Sequence, residues 1–355
     1  MTKVSIIILN YKQKELTVNC VKSVLSQEYK DFEIILVDNA SQDGSVELFK
    51  KEFGSNKKIK IIESKENTGY TGGNNLGYKY CRGKYVVVLN NDTIVDKKWL
   101  TELVRGLESR KNIAMATSVV LNVPSLENLS QYKKQLEERK MWTTTLLGYP
   151  AVLNRSGRFE KTFAVHGGSF IFKREIVKKL FDPDYFIYAE ETKLSWLTRL
   201  RGYDIVQARD SIFYHLTNIV KKSSGKFSKH FTFLGERNRI LNYFTFYSPL
   251  NMIRIFPLLL INVIILNIFE IRKLPWRFKS YFWILFHLGF LSKKRREAQG
   301  QRKVNDKEII KYMGGKLSGT LYKETDSKIT TNAVRVVNAL FKAYCFLVGL
   351  KTVKD

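Results

Sequence analysis

The chain has 355 residues, more than one compact core usually contains, so we expect one large domain with an appendage. Hydrophobic residues make up 44% of the sequence, which is ordinary for a globular protein and excludes a disordered chain. The formal net charge of +27 suits polyanionic partners, namely nucleic acid, anionic lipid or phosphate-bearing substrates, although solvated lysine-rich surfaces would account for much of it equally well.

The first 120 residues alternate between strand patterns and helix patterns. Continuous apolar runs predict strands at residues 4–9, 32–37, 59–62 and 85–89. Apolar residues at helical spacing follow the strands, at residues 16–25, 46–53, 73–81 and 99–107. This alternation predicts a mostly parallel α/β sheet whose ligands bind at the carboxyl ends of its strands. The first run is too short for the core of a signal peptide, so we expect the protein to remain inside the cell.

The middle of the chain is less regular. Residues 122–160 lose the alternation, and we interpret them as an insertion with turns and uncertain strands. At residues 166–180 a short strand runs into a helix, and residues 182–206 contain a helix followed by a strand. The basic stretch at residues 221–230 is predicted to be a flexible loop that closes over a ligand's phosphates.

The last hundred residues are both apolar and basic. Two strongly apolar segments, residues 255–269 and 281–291, are each shorter than the ~20 residues needed to span a bilayer. Lysines and arginines bracket both segments, and Trp276 and Trp283 lie close by, which is the pattern of a helix at a membrane interface. We therefore expect this region to associate with an anionic membrane surface. Packing on the core, a tilted span and a hairpin are the alternatives.

Polar side chains stand where three of the predicted strands end. They are Asn10 and Tyr11 after the first strand, Asp38 after the second, and Asn90, Asn91 and Asp92 after the fourth. Because the carboxyl ends of adjacent parallel strands meet at one crevice, we expect these side chains to converge there. Asp38 has two interpretations, as a carboxylate that contacts a base or ribose and as a capping or turn residue.

A glycine-rich stretch, NTGYTGGNNLG, spans residues 67–77. It lacks the GxGxxG spacing, and no GxxxxGK(S/T) occurs in the chain, which disfavours hydride-transfer and P-loop enzymes. A glycine-rich loop that enters a helix lets backbone amides approach a phosphate or sugar closely. A tight turn with a glycine cap is the alternative.

Several motifs occur in a characteristic order: VSIIILNY, LVDNASQDGS, ENTGYTGGNNLG, VVLNNDT, HGGSFIFKRE, YAEETKLSWLTRLRGY, IFYH and GERNRILNYF. This order resembles family 2 glycosyltransferases, most of all their rhamnosyltransferase-like branch, over roughly residues 1–250. The resemblance implies a GT-A fold, which is a Rossmann-like, mostly parallel α/β sheet. We divide the chain into a GT-A domain at 1–248, with a nucleotide-sugar-binding half at 1–121 and an acceptor-binding half at 122–248, and a helical, membrane-associating C-terminal region at 249–355.

The resemblance also implies roles for individual residues. Nucleotide and donor binding is implied for Asn10, Tyr11, Asp38, Asn67, Gly72, Gly73, Asn75, Asn90, Asn91 and Arg237. A guanidinium group such as that of Arg237 can bind phosphates bidentately. The segment near the donor sugar and acceptor is His166, Gly167 and Gly168, although a turn also explains the histidine.

The resemblance implies a divalent metal, Mn²⁺ or Mg²⁺. Asp92 stands in the position of the family's DxD motif, and Asn90 replaces the first carboxylate of that motif. Mg²⁺ commonly takes only one or two protein carboxylates, with phosphates and waters as the other ligands. Asn90 is therefore expected to hold a water or contact the nucleotide. His215 matches a position where histidine completes the metal site and would favour Mn²⁺ slightly, although a lone histidine is more often structural.

Glu190 and Glu191 begin a predicted helix. Adjacent carboxylates there complement the helix dipole, or crowd each other so that one pKa rises toward a value useful in catalysis. The family pattern is Glu-Asp-x-Asp, whose second acid is the catalytic base. The resemblance therefore implies that Glu191 is the base and that Glu190 positions the acceptor. The sequence departs from the pattern twice, with glutamate at 191 and Lys193 in place of the later acid.

Together these features predict an inverting glycosyltransferase. The branch suggests dTDP-L-rhamnose as donor, with UDP-sugars as the alternative, and a glycan or lipid-linked acceptor of a cell-surface polysaccharide. The expected location is the cytoplasm, peripherally at the inner face of the cell membrane, and three cysteines without CxxC spacing fit a reducing compartment. Nucleic acid is not expected as a partner, because the basic clusters follow the apolar C-terminal segments. An inactive sugar-nucleotide-binding protein and a nucleic-acid-binding basic protein are the alternatives.

Overall fold

The computed structural model describes residues 3–124, 140–155, 157–216, 226–316 and 328–353. Within these residues the strands are β1 (Val4–Asn10), β2 (Phe32–Asp38), β3 (Ile59–Glu63), β4 (Tyr85–Asn90), β5 (Thr93–Val95), β6 (Ile113–Val123), β7 (Met141–Thr144), β8 (Pro150–Leu153), β9 (Phe159–Lys161), β10 (Ser169–Lys173) and β11 (Asp204–Leu216). The α-helices are α1 (Lys14–Leu25), α2 (Ser45–Phe53), α3 (Gly69–Tyr80), α4 (Trp99–Glu108), α5 (Glu190–Leu200), α6 (Lys226–Phe246), α7 (Pro249–Phe269), α8 (Leu274–Phe286), α9 (Leu288–Gln299), α10 (Asp306–Ile310) and α11 (Lys328–Leu347).

One large sheet carries the fold, in the order β3-β2-β1-β4-β10-β6-β11-β5, with β9 also paired to β11. Strands β1, β2, β3, β4, β6 and β11 run in one direction, while β10 lies antiparallel between β4 and β6. Strands β5 and β9 are antiparallel to β11, and β7 pairs with β8 in a separate sheet. The prediction of a mostly parallel α/β sheet is therefore confirmed.

Alternate residues of β1 enter different apolar cores, which explains why its sequence is apolar throughout. Ile6 and Ile8 belong to a cluster that includes Leu103 of α4. Ile7 belongs to a second cluster, which Leu76 of α3 packs against. A strand covered by helices on both faces has no solvent-facing side, so its sequence does not alternate between apolar and polar residues.

Helix α3 begins at Gly69, four residues earlier than the sequence predicted. Gly72 and Gly73 are therefore helical and lie beyond the free amides of the first turn. Their missing side chains serve packing instead. A Cβ at Gly73 would lie 2.4 Å from Leu9 Cδ1, and one at Gly72 would lie 2.4 Å from Thr68 Cβ. The prediction that these two glycines bring backbone amides to the donor was wrong.

Two irregular segments are described only in part. Of the predicted insertion at 122–160, β6 continues to Val123 and β7 pairs with β8, whereas residues 125–139 and 156 lie outside the described residues. Residues 221–225 of the predicted flexible loop also lie outside them. Helix α6 begins at Lys226, so the rest of that stretch is helical and not a loop.

The first apolar C-terminal segment belongs to a longer helix than the sequence predicted. Helix α7 spans 21 residues because Pro249, which needs no hydrogen-bond partner in a first turn, starts it six residues before the apolar run. Among the described residues one stretch, Pro249–Ile268, is long and apolar enough to cross a membrane by length and composition, and 28% of it is buried. The prediction that this segment is too short was wrong. The second apolar segment divides between α8 and α9 at His287.

The C-terminal helices pack on the part of the chain that carries the sheet. Ile255 and Leu258 of α7 share an apolar cluster with Trp196 and Leu200 of α5. Packing on the core, one of the predicted alternatives, is therefore present. The outer side of α7 remains exposed, as the accessibility of Ile253 illustrates. The predicted domain boundary at residue 248 falls between α6 and α7 and stays a prediction.

Candidate active site

The turn between β4 and β5 brings Asp92 beside His215. Asp92 Oδ2 lies 3.3 Å from His215 Nε2, because β5 pairs with the end of β11 and the amide of Leu216 donates to the Asp92 carbonyl at 3.0 Å. The other carboxylate oxygen, Asp92 Oδ1, is buried and has no hydrogen-bond partner among the described residues. A buried carboxylate oxygen without a hydrogen-bond donor destabilises the folded state unless a ligand binds to it.

This pair fits a divalent cation. Both Mn²⁺ and Mg²⁺ accept carboxylate oxygen, imidazole nitrogen suits Mn²⁺ better than Mg²⁺, and the unpartnered Oδ1 of Asp92 is available for such a bond. In the described part of the chain, no group of three acidic, histidine or cysteine side chains comes together to hold a metal. The remaining ligands would therefore be phosphates and waters. Burial lowers the pKa of His215, but the hydrogen bond and charge of Asp92 outweigh burial and raise that pKa above its ordinary value.

Tyr70 connects the end of β4, next to Asp92, with the segment that follows β9. The sequence analysis did not predict a role for this residue. Its hydroxyl lies 3.1 Å from Asn90 Oδ1 and 3.0 Å from the Gly167 carbonyl, so its one proton serves both acceptors. Burial, together with the nearby charges of Glu190 and Glu191, raises the pKa of Tyr70 well above its usual range. The signal that could have revealed it is a bulky aromatic residue inside a glycine-rich stretch.

His166 adopts the turn geometry that was one of its two interpretations. Its Nδ1 accepts a hydrogen bond from the Gly168 amide at 3.0 Å, so the neutral ring carries its proton on Nε2. The ring lies edge-on between Trp142 and Phe213, with ring centroids 4.3 and 5.4 Å away. Burial and the neighbouring charge of His215 lower the pKa of His166 to about 3, so the ring is neutral at physiological pH.

Glu190 and Glu191 lie at the start of α5, facing the segment that precedes β10. A Cβ at Gly167 would lie 3.5 Å from Glu191 Cγ, an ordinary van der Waals distance, so the two residues are direct neighbours. Thr192 Oγ1 donates to Glu191 Oε1 at 3.1 Å, whereas the buried Glu190 Oε2 has no partner among the described residues. Burial raises the pKa of Glu191, and burial followed by the charge of Glu191 raises that of Glu190.

The loop before these carboxylates has an unusual backbone. Phe186, Tyr188 and Ala189 have φ angles of 62°, 73° and 61°, in a region that residues other than glycine rarely occupy. Strain of this kind persists only where the surroundings impose it, and such residues concentrate at functional sites. Here the surroundings include the amide of Thr71, which donates to the Phe186 carbonyl at 3.0 Å.

Helix α6 holds the same loop from its other side. Asn238 Nδ2 lies 2.9–3.0 Å from the carbonyls of Tyr185, Ile187 and Tyr188. Asn242 Nδ2 donates to the carbonyl of residue 189 at 3.1 Å, which is where the loop meets α5. The sequence analysis assigned a role to Arg237 and none to the neighbouring Asn238. An asparagine whose amide binds backbone carbonyls has no characteristic sequence pattern.

Arg237 contacts other parts of the protein. The residue is 9% exposed, and its guanidinium donates to Asn238 Oδ1 and the Asp184 carbonyl and lies over the rings of Phe233 and Trp283. These hydrogen bonds use Nε and Nη2 and anchor α6 to the loop before α5. The role of Arg237 in donor binding stays a prediction.

Asn75 is displaced from the donor. Its amide nitrogen donates to the Phe181 carbonyl at 2.9 Å, and its amide oxygen accepts from the Phe181 backbone amide at 2.9 Å. Both hydrogen-bonding groups of the side chain are thus occupied by one residue. The side chain fixes the loop after β10 on α3 and does not reach the site.

The polar residues after β1 and β2 form an internal network. Asn10 Nδ2 donates to Asp38 Oδ1 at 2.7 Å, and Ser41 contributes both its amide and its hydroxyl to the same carboxylate. Asp38 is 1% exposed, which favours the turn-residue interpretation over a direct contact with base or ribose. Tyr11, the next residue after Asn10, is only partly buried, and Lys12 Nζ lies 5.4 Å from its ring centroid.

Two other predicted donor residues likewise support the backbone. Asn67 Oδ1 accepts hydrogen bonds from Asn39 Nδ2 and from the Gly69 amide, both at 2.9 Å, which shapes the turn into α3. Asn91 Nδ2 donates to Thr17 Oγ1 at 2.9 Å and ties the turn after β4 to α1. Their roles in donor binding stay predictions without a direct structural contact.

Lys193, which replaces the family's later acid, forms part of a charged cluster away from the carboxylate pair. Its ammonium pairs with Asp182, and Lys294 of α9 pairs with the same carboxylate at 2.7 Å. Burial alone would raise the pKa of Asp182, but its ion pairs with both lysines lower that pKa to about 2. The cluster connects the C-terminal region to the start of the active-site loop.

Asp182→Ala is expected to destabilise the protein by about 3 kcal/mol, because removing one partner of a buried ion pair leaves its cations uncompensated. Asp184→Ala is the matched control. It also removes a partner of Lys294, but its carboxylate is 48% exposed, so the loss should stay below about 1 kcal/mol. Thermal unfolding of the two variants checks this, and equal melting temperatures would contradict it.

Comparison with known proteins identifies the class. The structure of GalNAc-T7 with UDP, GalNAc and Mn²⁺ matches with a TM-score of 0.56 and 16% identity, covering 70% of this chain and 49% of that one. The structure of S. aureus TarS 1-349 in complex with UDP matches with a TM-score of 0.50 and 14% identity, covering 98% and 92%. At these identities the likeness establishes the fold alone, which is the GT-A fold of glycosyltransferases.

Residues 5–181 match the family described as glycosyl transferase family 2. That part of the chain is therefore a family 2 glycosyltransferase domain. An uncharacterized glycosyltransferase of Haemophilus influenzae is 25% identical over 193 residues, covering 54% of this chain and 58% of that protein. The poly-beta-1,6-N-acetyl-D-glucosamine synthase of Staphylococcus epidermidis is 24% identical over 203 residues, covering 57% and 47%. The chain thus spans about half the length of these relatives.

Proposed function

We propose that the protein is a metal-dependent, inverting glycosyltransferase that moves a sugar from a nucleotide-diphosphate donor to a glycan or lipid-linked acceptor. One observation carries the proposal: the Tyr70 hydroxyl contacts both Asn90, beside Asp92, and the carbonyl of Gly167, which lies against Glu191. A carboxylate suited to a cation and carboxylates suited to proton transfer therefore lie around one side chain. That separation of roles is what sugar transfer requires.

The leaving group of the reaction is a nucleotide diphosphate. Asp92 and His215 would hold Mn²⁺ or Mg²⁺, which when bound neutralises the negative charge that develops on the diphosphate. Asn90 contributes a neutral amide at the same strand end, and the hydroxyl of Tyr70 fixes its oxygen. The carboxylate of Asp92 would therefore bind the cation, and the amide of Asn90 would contact the nucleotide.

The acceptor hydroxyl must lose a proton as it attacks opposite the leaving group. We assign that proton to Glu191, which lies beside Gly167 and whose Oε1 accepts a hydrogen bond from Thr192 Oγ1. Burial raises the pKa of Glu191 toward the working pH, which suits a general base. Glu190, buried directly beside it, positions the acceptor, and the charge of Glu191 adds to burial in raising the pKa of Glu190.

For the donor we propose dTDP-L-rhamnose, with UDP-sugars as the alternative. The support is the likeness of the motifs to the rhamnosyltransferase-like branch. The acceptor would belong to a cell-surface polysaccharide, and the relative in Staphylococcus epidermidis whose name describes a polysaccharide synthase supports that setting.

A thermal-shift comparison of dTDP, UDP and GDP, each with and without Mn²⁺, tests the proposal. A ligand that binds the folded state raises the melting temperature in proportion to the logarithm of its concentration over Kd. We expect dTDP with Mn²⁺ to give the largest shift and each nucleotide to lose its shift when EDTA is added. If no nucleoside diphosphate raises the melting temperature, the proposed function is wrong.

We also propose that the protein lies peripherally on the cytoplasmic face of the cell membrane. The support is an apolar face formed by α7 and α8. Its members are large side chains that are about half or more exposed, namely Ile253, Phe256, Leu260, Ile264, Ile268, Phe282, Leu285 and Phe286. Phe256, Leu260 and Leu285 line one continuous apolar groove between the two helices. An apolar face of this extent, in a chain of charge +27, suits an anionic bilayer.

Helix α7 has contacts that favour lying on the surface over crossing the bilayer. Asn262, in the middle of the helix, is fully buried and donates to the Tyr149 hydroxyl at 3.0 Å. Near its start, the carbonyl of Arg254 accepts from the Tyr344 hydroxyl at 2.9 Å. A helix whose midpoint and first half bind other parts of the fold presents only its opposite side to lipid.

Ile253→Glu combined with Phe286→Glu is expected to weaken binding to vesicles that contain phosphatidylglycerol by at least about a hundredfold. Each substitution forfeits the burial of one large apolar side chain, about 1.5–3 kcal/mol, and places a negative charge against the lipid. Flotation with the vesicles measures the loss. Val152→Glu, at another exposed apolar position, is the control and should bind as wild type. Equal flotation of both proteins would refute the surface assignment.

A further inference from the structure

A second cleft lies beside the strained loop, between Tyr188 of that loop, α6 and the C-terminal helices. Its volume is about 410 Å³, within the range of small-ligand sites. Tyr188 and Phe231 line one side, and Leu266, Glu270 and Lys273 line the other. The residues that line this cleft differ from those proposed to bind the donor and the metal and from those proposed to transfer the proton.

Tyr188 is the most exposed aromatic side chain of this cleft and lies two residues before Glu190. It is 44% exposed although its backbone has a left-handed φ of 73°, which costs free energy that only a function or an imposed packing repays. Its ring meets Phe231 edge-on at 5.6 Å, and Gly235 leaves open the space beside it. Phe231 thereby supports the ring, and the exposed part of the ring remains available to a ligand two residues before Glu190.

The charges of the cleft balance one another. Glu236 pairs with Arg239 at 2.6 Å and accepts from the Tyr281 hydroxyl at 3.1 Å. Glu270 pairs with Lys273 at 2.5 Å and also with Arg277 of α8. A site with paired charges and aromatic walls suits an uncharged ligand with many hydroxyl groups better than a phosphate. Each carboxylate is already neutralised by a cation and can still accept hydrogen bonds from hydroxyl groups.

The rim of the cleft continues into the apolar face. Ile268 and Ile271, which flank Glu270 in the chain, are 68% and 67% exposed. A ligand that enters here passes between Tyr188 and side chains suited to lipid. An amphiphile with a saccharide head and an apolar chain fits both parts at once.

We propose that this cleft binds the saccharide head of a lipid-linked acceptor, with Tyr188 as its aromatic platform and Ile268 and Ile271 as the path of the lipid. The proposal rests on the proposed function and narrows its acceptor to a membrane-borne saccharide. A sugar ring that packs its C–H face on Tyr188 directs a hydroxyl toward the carboxylates that follow in α5. Tyr188 is thus a specificity-determining residue.

The test uses the full chain with methyl and octyl glycosides of several common hexoses as probes, below their micelle concentrations, read by saturation-transfer NMR. Wild type should bind at least one octyl glycoside at millimolar concentration, and at least about tenfold more tightly than its methyl counterpart because part of the chain is buried. Tyr188→Ala should lose about tenfold or more in affinity, whereas Tyr188→Phe and the remote variant Tyr80→Ala should not. Ile268→Asn with Ile271→Asn should remove the preference for the octyl chain.

Two results would overturn the proposal: no glycoside binds wild type, or Tyr188→Ala binds as wild type does. Equal binding of methyl and octyl probes would refute the lipid-linked part. The melting-temperature shift with dTDP or UDP and Mn²⁺ is read on the same samples. Tyr188→Ala should keep that shift if the variant is folded and the donor site intact. Absence of any nucleotide shift in wild type would instead signal failure of the proposed function, independently of the glycoside result.

Discussion

Glu191→Gln is expected to lower the rate of sugar transfer by about 10²–10⁴-fold while leaving nucleotide affinity unchanged. Glutamine keeps the shape of the side chain and the oxygen that accepts from Thr192, but its amide cannot take a proton from the acceptor. The loss should appear in kcat and kcat/KM together, because the missing interaction belongs to the transition state.

Transfer from the donor identified by the thermal-shift comparison provides the measurement, with the nucleotide shift as a test of folding. Glu190→Gln is the matched control, since it alters the adjacent carboxylate without removing the base. We expect Glu190→Gln to raise the KM for the acceptor more than it lowers kcat. Activity of Glu191→Gln within tenfold of wild type would contradict the assignment. Wild type that binds nucleotide yet neither transfers nor hydrolyses the donor would support the inactive-binder alternative.

The raised pKa of Glu191 fixes the sign of the pH dependence. A general base works in its ionised form, so kcat/KM should rise with pH through a value above the ordinary 4.5 of a glutamate. Because Glu190 and Glu191 interact, the apparent value belongs to the pair. The effect on stability has the opposite sign. Carboxyls whose pKa is raised by folding stabilise the fold fully below the unfolded pKa, and this contribution is lost as pH rises through the folded value.

The sequence predicted the sheet because a strand's apolar pattern is local, whereas the pairing of Asp92 with His215 was implied by the family resemblance. A strand covered on both faces is apolar throughout, as Ile6, Ile7 and Ile8 show. Asp92 follows such a strand directly, and His215 ends the strand that pairs with β5, so both lie at one sheet edge. The resemblance to the family, and not strand position alone, predicted that these two residues meet.

The errors arose where one residue type serves two purposes. Gly73 fits either close approach to a phosphate or close packing of a helix on a strand, and only the start of α3 at Gly69 decides between them. Asn75 and Asn238 are both amides beside helix-forming residues, yet their partners are backbone groups more than 50 residues away in the chain. Contacts at that separation depend on how the elements pack, which a single sequence does not reveal.

Asp92→Ala is expected to abolish the Mn²⁺-dependent part of nucleotide binding, a loss of several kcal/mol or about a hundredfold or more in affinity. The reason is the unpartnered Oδ1 of Asp92, which is the buried oxygen among the described residues that best fits the cation. Nucleotide thermal shifts with and without Mn²⁺ measure the effect. Asp96→Ala is the control, because this aspartate follows β5 and its Oδ1 accepts from the Lys98 amide, and the variant should bind nucleotide about as wild type does.

The metal-free protein should respond in the opposite direction. A buried carboxylate with one oxygen unsatisfied is destabilising, so removing it should leave the melting temperature of the metal-free protein unchanged or higher, despite the lost contact with His215. A variant that is as stable as wild type but insensitive to Mn²⁺ would separate a ligand of the cation from a residue of the scaffold. A lower melting temperature without metal, combined with a retained Mn²⁺ effect, would show instead that Asp92 is structural and that the cation has other ligands.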